Sequence, residues 1–495
     1  MEEEGDTITP ISGDIDSNFA GLEAERKKKL RNQIIIWGAA SLGIIIAVTI
    51  IIILILNSGG EKGEQGKDGE KDDKKDDEDD GPIPEEVFGN ITCIYEVNQG
   101  EINILSDEFE KNFDLVIYVG KERKKYSKKY NFNLEDSKTV RFEIHSKEIS
   151  LKNMFKRVNN LKGVYFTTSK EGTKITSMES TFEECLYLDY FYIDKGWDTT
   201  GLTTMTKAFA HYISLEEIDF DNMTLSNVKD MSHMLEGTRI YKFEPKIFDI
   251  SSVENMAFMF QNCYNLNNVK FVEGKPSNNL NTMENMFAGC ESLTEVNLNG
   301  LSTSNVRNMK ALFQGCTNLV NVVFENFDTT QVTDMSFMFE RNKALIDLTL
   351  NFDTRNVKTM NSMFRECSSI NYIGTSSFDT GNVEDMSFMF AECSSITFAN
   401  VEQFNTQKVK TFEGMFSGCV GLTSLDLGKY KTSSAVNMKD MFKECRLLWG
   451  INIAQWDTSN VEDMSFMFQS CENLPSIDIK NYKTPNLKKM NNMFE

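Results

Sequence analysis

Across its 495 residues the chain has only three histidines, His145, His211 and His233, and seven prolines. Histidines this scarce leave little for acid–base or metal chemistry, and none lies in a motif with a catalytic serine or cysteine signature. There is no glycine-rich phosphate cradle of the Walker or dinucleotide type. No paired Cys-x-x-Cys occurs, which removes the commonest zinc framework. Positive charge is also short: 52 Lys and Arg stand against 74 Asp and Glu, for a formal net charge of −22. A phosphate backbone calls for a basic surface, so nucleic acid is excluded as a partner, whereas a solvated exterior or a cationic partner fits. These absences argue against an enzyme and supply no metal or cofactor site.

One long apolar run is present. Ile34 to Leu56 gives 23 residues without a charge, which as a helix would extend roughly 34 Å and cross a bilayer. A cleaved signal peptide is the alternative, but its apolar core is about half as long. Arg26, Lys27, Lys28, Lys29 and Arg31 precede the run, and Lys62, Lys67, Lys71, Lys74 and Lys75 follow it. The basic count is tied. The N-terminal set lies closer and is undiluted by acids, which places residues 1–33 in the cytosol as a disordered tail and the rest outside. The sequons Asn90-Ile91-Thr92 and Asn222-Met223-Thr224 fit that orientation and make Asn90 and Asn222 glycosylation candidates. Residues 57–84 form a charged stalk. Gly60, Gly63, Gly66 and Gly69 fall on every third position there, but four triplets without proline do not sustain a collagen helix.

Residues 85–147 change to short alternating apolar runs, among them Ile91 to Tyr95, Leu115 to Val119 and Val140 to Ile144, which predict a small β-rich cap. From residue 148 onward one pattern repeats about every 26 residues, as in Trp456-Asp457-Thr458-Ser459-Asn460-Val461-Glu462-Asp463-Met464-Ser465-Phe466-Met467-Phe468. The anchors run Leu151, Met178, Met205, Met231, Met256, Met283, Met309, Met335, Met360, Met386, Phe412, Met438, Met464 and Met490. Such a period means a solenoid. Within a repeat, Val461, Met464, Met467, Phe468, Cys471 and Leu474 are spaced by threes and fours, which predicts a helix. A short alternating stretch follows, as at Leu425 and Leu427 or Ile477 and Ile479, and predicts a strand. The expected fold is therefore α/β, with a helix and a short parallel strand in each turn of a leucine-rich-repeat solenoid over 148–495, a β-rich cap and one transmembrane helix.

The Phe-Asp-Thr…Asn-Val…Met…Met-Phe…Cys…Leu pattern, clearest from Phe327 to Phe339 and from Phe378 to Phe390, resembles the BspA-type leucine-rich repeat. That resemblance implies a solenoid displayed on a cell surface, adhesion in some members, and no catalytic residues. The apolar run at the N-terminus departs from a lipoprotein anchor.

Nine of the ten cysteines occupy one repeat position: Cys185, Cys263, Cys290, Cys316, Cys367, Cys393, Cys419, Cys445 and Cys471. Their spacing puts them in the core as a structural ladder of free thiols, with partial pairing in an oxidising compartment as the alternative. Aspartates recur at Asp198, Asp249, Asp328, Asp353, Asp379 and Asp457; beside recurrent threonines they suit a turn, and stacked carboxylates for calcium are the alternative. The outward strand residues differ between rungs, as at Glu295, Asn297 and Asn299 against Asp347, Thr349 and Asn351. The resulting expectation is a membrane-anchored, single-pass cell-surface protein that binds a protein or glycan through its solenoid face. The alternatives are rods that self-associate into a surface coat, and an intracellular membrane-tethered scaffold.

Overall fold

A computed structural model describes residues 86–495 apart from residues 98, 135–137, 169–171, 212, 246–247, 272–276 and 325–326. The chain divides into two units, Met1–Asp76 and Asp77–Glu495, and every described residue belongs to the second.

Ten strands open this unit: β1 (Gly89–Tyr95), β2 (Gly100–Asn103), β3 (Leu115–Val119), β4 (Glu122–Lys124), β5 (Lys129–Phe132), β6 (Thr139–Ile144), β7 (Glu148–Ser150), β8 (Leu161–Thr167), β9 (Lys174–Ser177) and β10 (Tyr190–Ile193). Side chains alternate across a strand, so Ile91, Cys93 and Tyr95 of β1 and Val140, Phe142 and Ile144 of β6 all enter the core. One six-stranded sheet runs β10-β8-β1-β6-β3-β4. Its first two members belong to the first two rungs of the solenoid, so the cap and the repeats share a sheet.

Eight short strands follow: β11 (Lys242–Phe243), β12 (Asn268–Lys270), β13 (Glu295–Asn297), β14 (Asn321–Val323), β15 (Asp347–Thr349), β16 (Tyr372–Gly374), β17 (Ser424–Asp426) and β18 (Gly450–Asn452). They stack in parallel register as β11-β12-β13-β14, β15-β16 and β17-β18.

The helix expected in each repeat is absent. Among the described residues there are strands and turns and no helix, so the α/β expectation is corrected to an all-β solenoid. The segment from Met386 to Cys393 shows what replaces it. The amides of Met386, Phe388, Phe390 and Glu392 cross to the carbonyls of Thr411, Glu413, Met415 and Ser417 in the next rung. The intervening amides of Met389, Ala391 and Cys393 turn back three residues, to Met386, Phe388 and Phe390. A helix would keep every such bond within its own rung.

Backbone dihedrals explain the alternation. In all fourteen rungs the second residue past the anchor has positive φ, from Asn153 to Asn492, and in thirteen the sixth does, from Arg157 to Ser470. A left-handed residue at the third place of a four-residue turn is what a type II turn requires, so each rung folds as consecutive turns. Spacing excludes helices as well. The rings of Phe260, Phe287, Phe313, Phe339 and Phe364 stack face to face at 5.4 to 5.8 Å from rung to rung. Helices pack about 8–10 Å apart and could not keep that step.

The membrane expectation is corrected too. Among the described residues no helix is long and apolar enough to cross a membrane. The tail at 1–33, the span expected at 34–56 and the stalk at 57–84 lie outside the described residues. Single-pass anchoring, the membrane as a partner, and localisation in the cell membrane with extracellular repeats therefore have no structural support and are withdrawn.

Candidate functional site

Three side-chain ladders join the rungs. In the first, each ladder cysteine donates its thiol hydrogen to a backbone carbonyl of the rung before: Cys316 Sγ lies 3.1 Å from the Phe287 carbonyl, Cys367 3.0 Å from Phe339 and Cys445 3.1 Å from Phe416. All ten cysteines are free thiols, and all but Cys471 are buried. Burial raises Cys263 and Cys367 to about 12 and the less enclosed Cys471 to about 11. These groups stay protonated at neutral pH and are poor nucleophiles and poor metal ligands.

The second ladder is threonine. Thr354, Thr406, Thr432 and Thr458 donate to the carbonyls of Asp379, Lys431, Asp457 and Lys483 in the following rung at 2.8 to 3.0 Å. The recurrent aspartates stand next to them. Asp198, Asp328, Asp379 and Asp457 each accept the amide two residues on, at 2.8 to 3.0 Å, which closes a turn. The third ladder is asparagine: Asn356, Asn382 and Asn460 reach back to the carbonyls of Thr330, Arg355 and Ser433. These positions hold the solenoid together and are not gathered around a ligand.

The histidines are engaged as well. His145 Nδ1 lies 2.7 Å from the Glu86 carbonyl. His233 Nδ1 lies 2.6 Å from Glu236 Oε2 and its ring stacks on Phe258 at 4.5 Å. His211 sits 3.5 Å from Glu183 and 4.0 Å from Glu236. Burial pushes Glu183 up, but the Ser180 hydrogen bond and the ammonium groups of Lys207 and Lys156 outweigh it and hold its pKa below the ordinary value. The sequence reading missed this charged cluster, because its members come from different rungs. Among the described residues no group of three or more His, Cys, Asp or Glu side chains could hold a metal ion.

The sequon residues sit in different settings. Asn90 is on β1, between β6 and β8, with its Oδ1 buried. Asn222 donates Nδ2 to the Ile193 carbonyl at 2.9 Å, a bond that glycosylation of that nitrogen would give up.

The most distinctive surface lies on the strand side. Among the described residues from Leu151 onward, fifteen large apolar side chains are exposed, and twelve of them lie eight to fourteen residues past their anchor. They include Tyr190, Tyr241, Val320, Ile346, Tyr372, Phe398 and Trp449, the last 63% exposed. Folding leaves them outside because the residues around them, Leu345 and Leu348 or Leu448 and Ile453, already fill the inner positions of the same rungs. The sequence signal for them is slight: Val320, Ile346 and Trp449 stand where other rungs carry Thr294, Asn371, Thr397 and Thr423.

A repeating rung closed by inter-rung ladders defines a leucine-rich-repeat-like solenoid. It belongs to the family described as "Mycoplasma protein of unknown function, DUF285", whose model matches residues 149–273, 281–399, 364–450 and 423–495. No curated protein matches the chain. Among solved structures it is similar to a leucine rich cell surface protein from Faecalibacterium prausnitzii, at 15% identity over 69% of this chain and 84% of that one, with a TM-score of 0.29. A leucine-rich-repeat protein from Leptospira interrogans shows 12% identity over 59% of this chain and 75% of that one, with a TM-score of 0.21. At those scores neither likeness bears on function.

Proposed function

We propose that this chain is a non-catalytic scaffold that holds another macromolecule, a protein or a glycan, along the strand side of its solenoid. The observation that carries this reading is the placement of the exposed large apolar side chains, twelve of fifteen of which share one short segment of the rung. Apolar side chains scattered over a surface need no explanation, but a run of them from rung to rung marks an interaction site. Polar neighbours such as Asn371, Thr397 and Thr423 supply hydrogen-bonding groups between the rings. Within the leucine-rich-repeat class, the Phe-Asp-Thr and Met-Phe signature supports a finer kinship with BspA-type repeats.

The test compares the full-length chain with a triple variant, Tyr372→Ala, Phe398→Ala and Trp449→Ala, on panels of immobilised proteins and glycans. Ligands held by the parent and lost by the variant, with thermal melting unchanged, support the reading. Identical capture by both proteins, or capture by neither, rejects it.

A further inference from the structure

The chain carries two exposed surfaces of opposite charge. The first lies at β4 and β5. From Lys121 to Tyr130 six of ten residues are basic and Glu122 is the single acid, in a chain whose net charge is −22. Glu122 already pairs with Lys124 at 2.7 Å. Tyr126 and Tyr130 lie under Lys111 and Lys124, with ammonium-to-ring distances of 5.1 and 5.6 Å, which braces the segment from within. Lys121, Lys125 and Lys129 are exposed.

The second surface is on the strand side. Over the seven successive rungs that hold Thr294 at one end and Asn452 at the other, the four residues that begin the strand include Glu295, Asp347 and Asp426 and no Lys or Arg. Tyr372 pairs in register with Asp347, so a carboxylate and an exposed ring lie side by side. A carboxylate beside an aromatic ring suits an ammonium group, which gains both the Coulomb attraction and the face of the ring.

The dimensions agree. Lys121, in the turn between β3 and β4, and Lys125 flank the three-residue strand β4 and lie at most about 13 Å apart, the reach of a fully extended chain. Asp347 and Asp426 are separated by three rungs and two residues, roughly 15 Å.

We propose that the lysine-rich β4–β5 segment of one copy docks on the acidic, aromatic strand side of a second copy of this chain. The inference rests on the strand side being a binding surface and names its partner. The two surfaces differ, so the contact is heterologous and propagates from copy to copy unless the geometry closes a ring. Its charges are exposed, so salt weakens it.

The experiment follows the mass of the full-length chain by sedimentation over a concentration series, at about 50 mM and about 500 mM salt. The expected result is concentration-dependent association at low salt that is lost at high salt. A basic-swap variant (Lys121→Glu, Lys125→Glu, Lys129→Glu) and an acid-swap variant (Glu295→Lys, Asp347→Lys, Asp426→Lys) each weaken association about tenfold or more. Mixing the two variants restores a mixed complex. The substitutions are on exposed side chains, and melting curves verify that each variant folds. A monomer at every concentration, association indifferent to either swap, or failure of the mixture to associate overturns the proposal. So does a basic segment that binds heparin while the chain stays monomeric. Foreign ligands that still require Tyr372, Phe398 and Trp449 in a chain that never self-associates would overturn this contact and leave the strand-side reading intact.

Discussion

Asn342 occupies a cysteine's place in the ladder and donates its Nδ2 hydrogen to the Phe313 carbonyl, 2.9 Å away. It makes the bond that Cys316 and Cys367 make on either side of it, toward Phe287 and Phe339. The amide, unlike a thiol, also brings an oxygen. Asn342 is fully buried and its Oδ1 meets no donor among the described residues.

Asn342→Cys is therefore expected to stabilise the solenoid. It keeps the bond to Phe313 and removes a buried acceptor whose desolvation costs about 1–3 kcal/mol. Urea unfolding followed by intrinsic fluorescence measures the difference, and a variant less stable than the parent would refute this account.

A second prediction separates turns from a helix by sign. Glu444 has φ 60° and donates its amide to the Gln469 carbonyl at 2.8 Å. Gly237, Gly289, Gly315 and Gly418 occupy the same place in other rungs, all with positive φ. Glu444→Gly relieves a left-handed residue and should stabilise by about 1 kcal/mol, whereas glycine inside a helix costs about 1 kcal/mol. Glu444→Val should destabilise, and a gain in melting temperature for valine over glycine would contradict the turn geometry.

These positions show what could be read from the sequence. The period and the inward residues were legible because Met, Phe and Cys recur at steps of three and four, and up to the rung of Met464 they are buried apart from the partly exposed Cys471, whereas Met490 and Phe494 of the last rung are exposed. The local conformation was not legible, because consecutive turns and a helix bury the same four positions. Gly289, Gly315 and Gly418, each just before a ladder cysteine, were the overlooked sign, since glycine recurring inside a helix is unfavourable. In the cap, period-two alternation in burial marks β1 and β6, while β3 is a continuous apolar run with four of its five side chains buried. The strand side was legible only as variable polar residues. Its exposed rings, Tyr372, Phe398 and Trp449, look like core until the rungs are stacked and the inner places are found to be full.

The thiol ladder sets an alkaline limit. Burial holds Cys263 and Cys367 at about 12, above the ordinary value of 9.0, and raises Cys290, Cys393, Cys419 and Cys445 well above it. The unfolded chain then releases protons that the folded chain retains. Stability is fully present below pH 9 and falls as pH rises toward 12, by about a tenfold change in the folding equilibrium per pH unit for each such thiol. Melting temperature measured from pH 7 to 11 should drop steeply above 9, and a flat profile there would contradict a buried ladder. Native alkylation at pH 8 should label Cys471 first, because it is the one partly exposed cysteine and is held at about 11.

The threonine ladder is open to the most local test. Thr406 is fully buried; its hydroxyl donates to the Lys431 carbonyl at 3.0 Å and accepts the Lys431 amide at 2.8 Å. Valine has the same shape and can do neither, so Thr406→Val strands both backbone groups of Lys431 between two rungs. The expected loss is about 2–4 kcal/mol, more than a core methyl change would give. Thr484 holds the corresponding place three rungs later in the series, and there it is exposed. Thr484→Val should therefore leave stability within about 0.5 kcal/mol of the parent. Equal effects at the two sites would mean that the hydroxyl's bonds to the next rung contribute nothing, and that the rungs are held by their apolar layers alone.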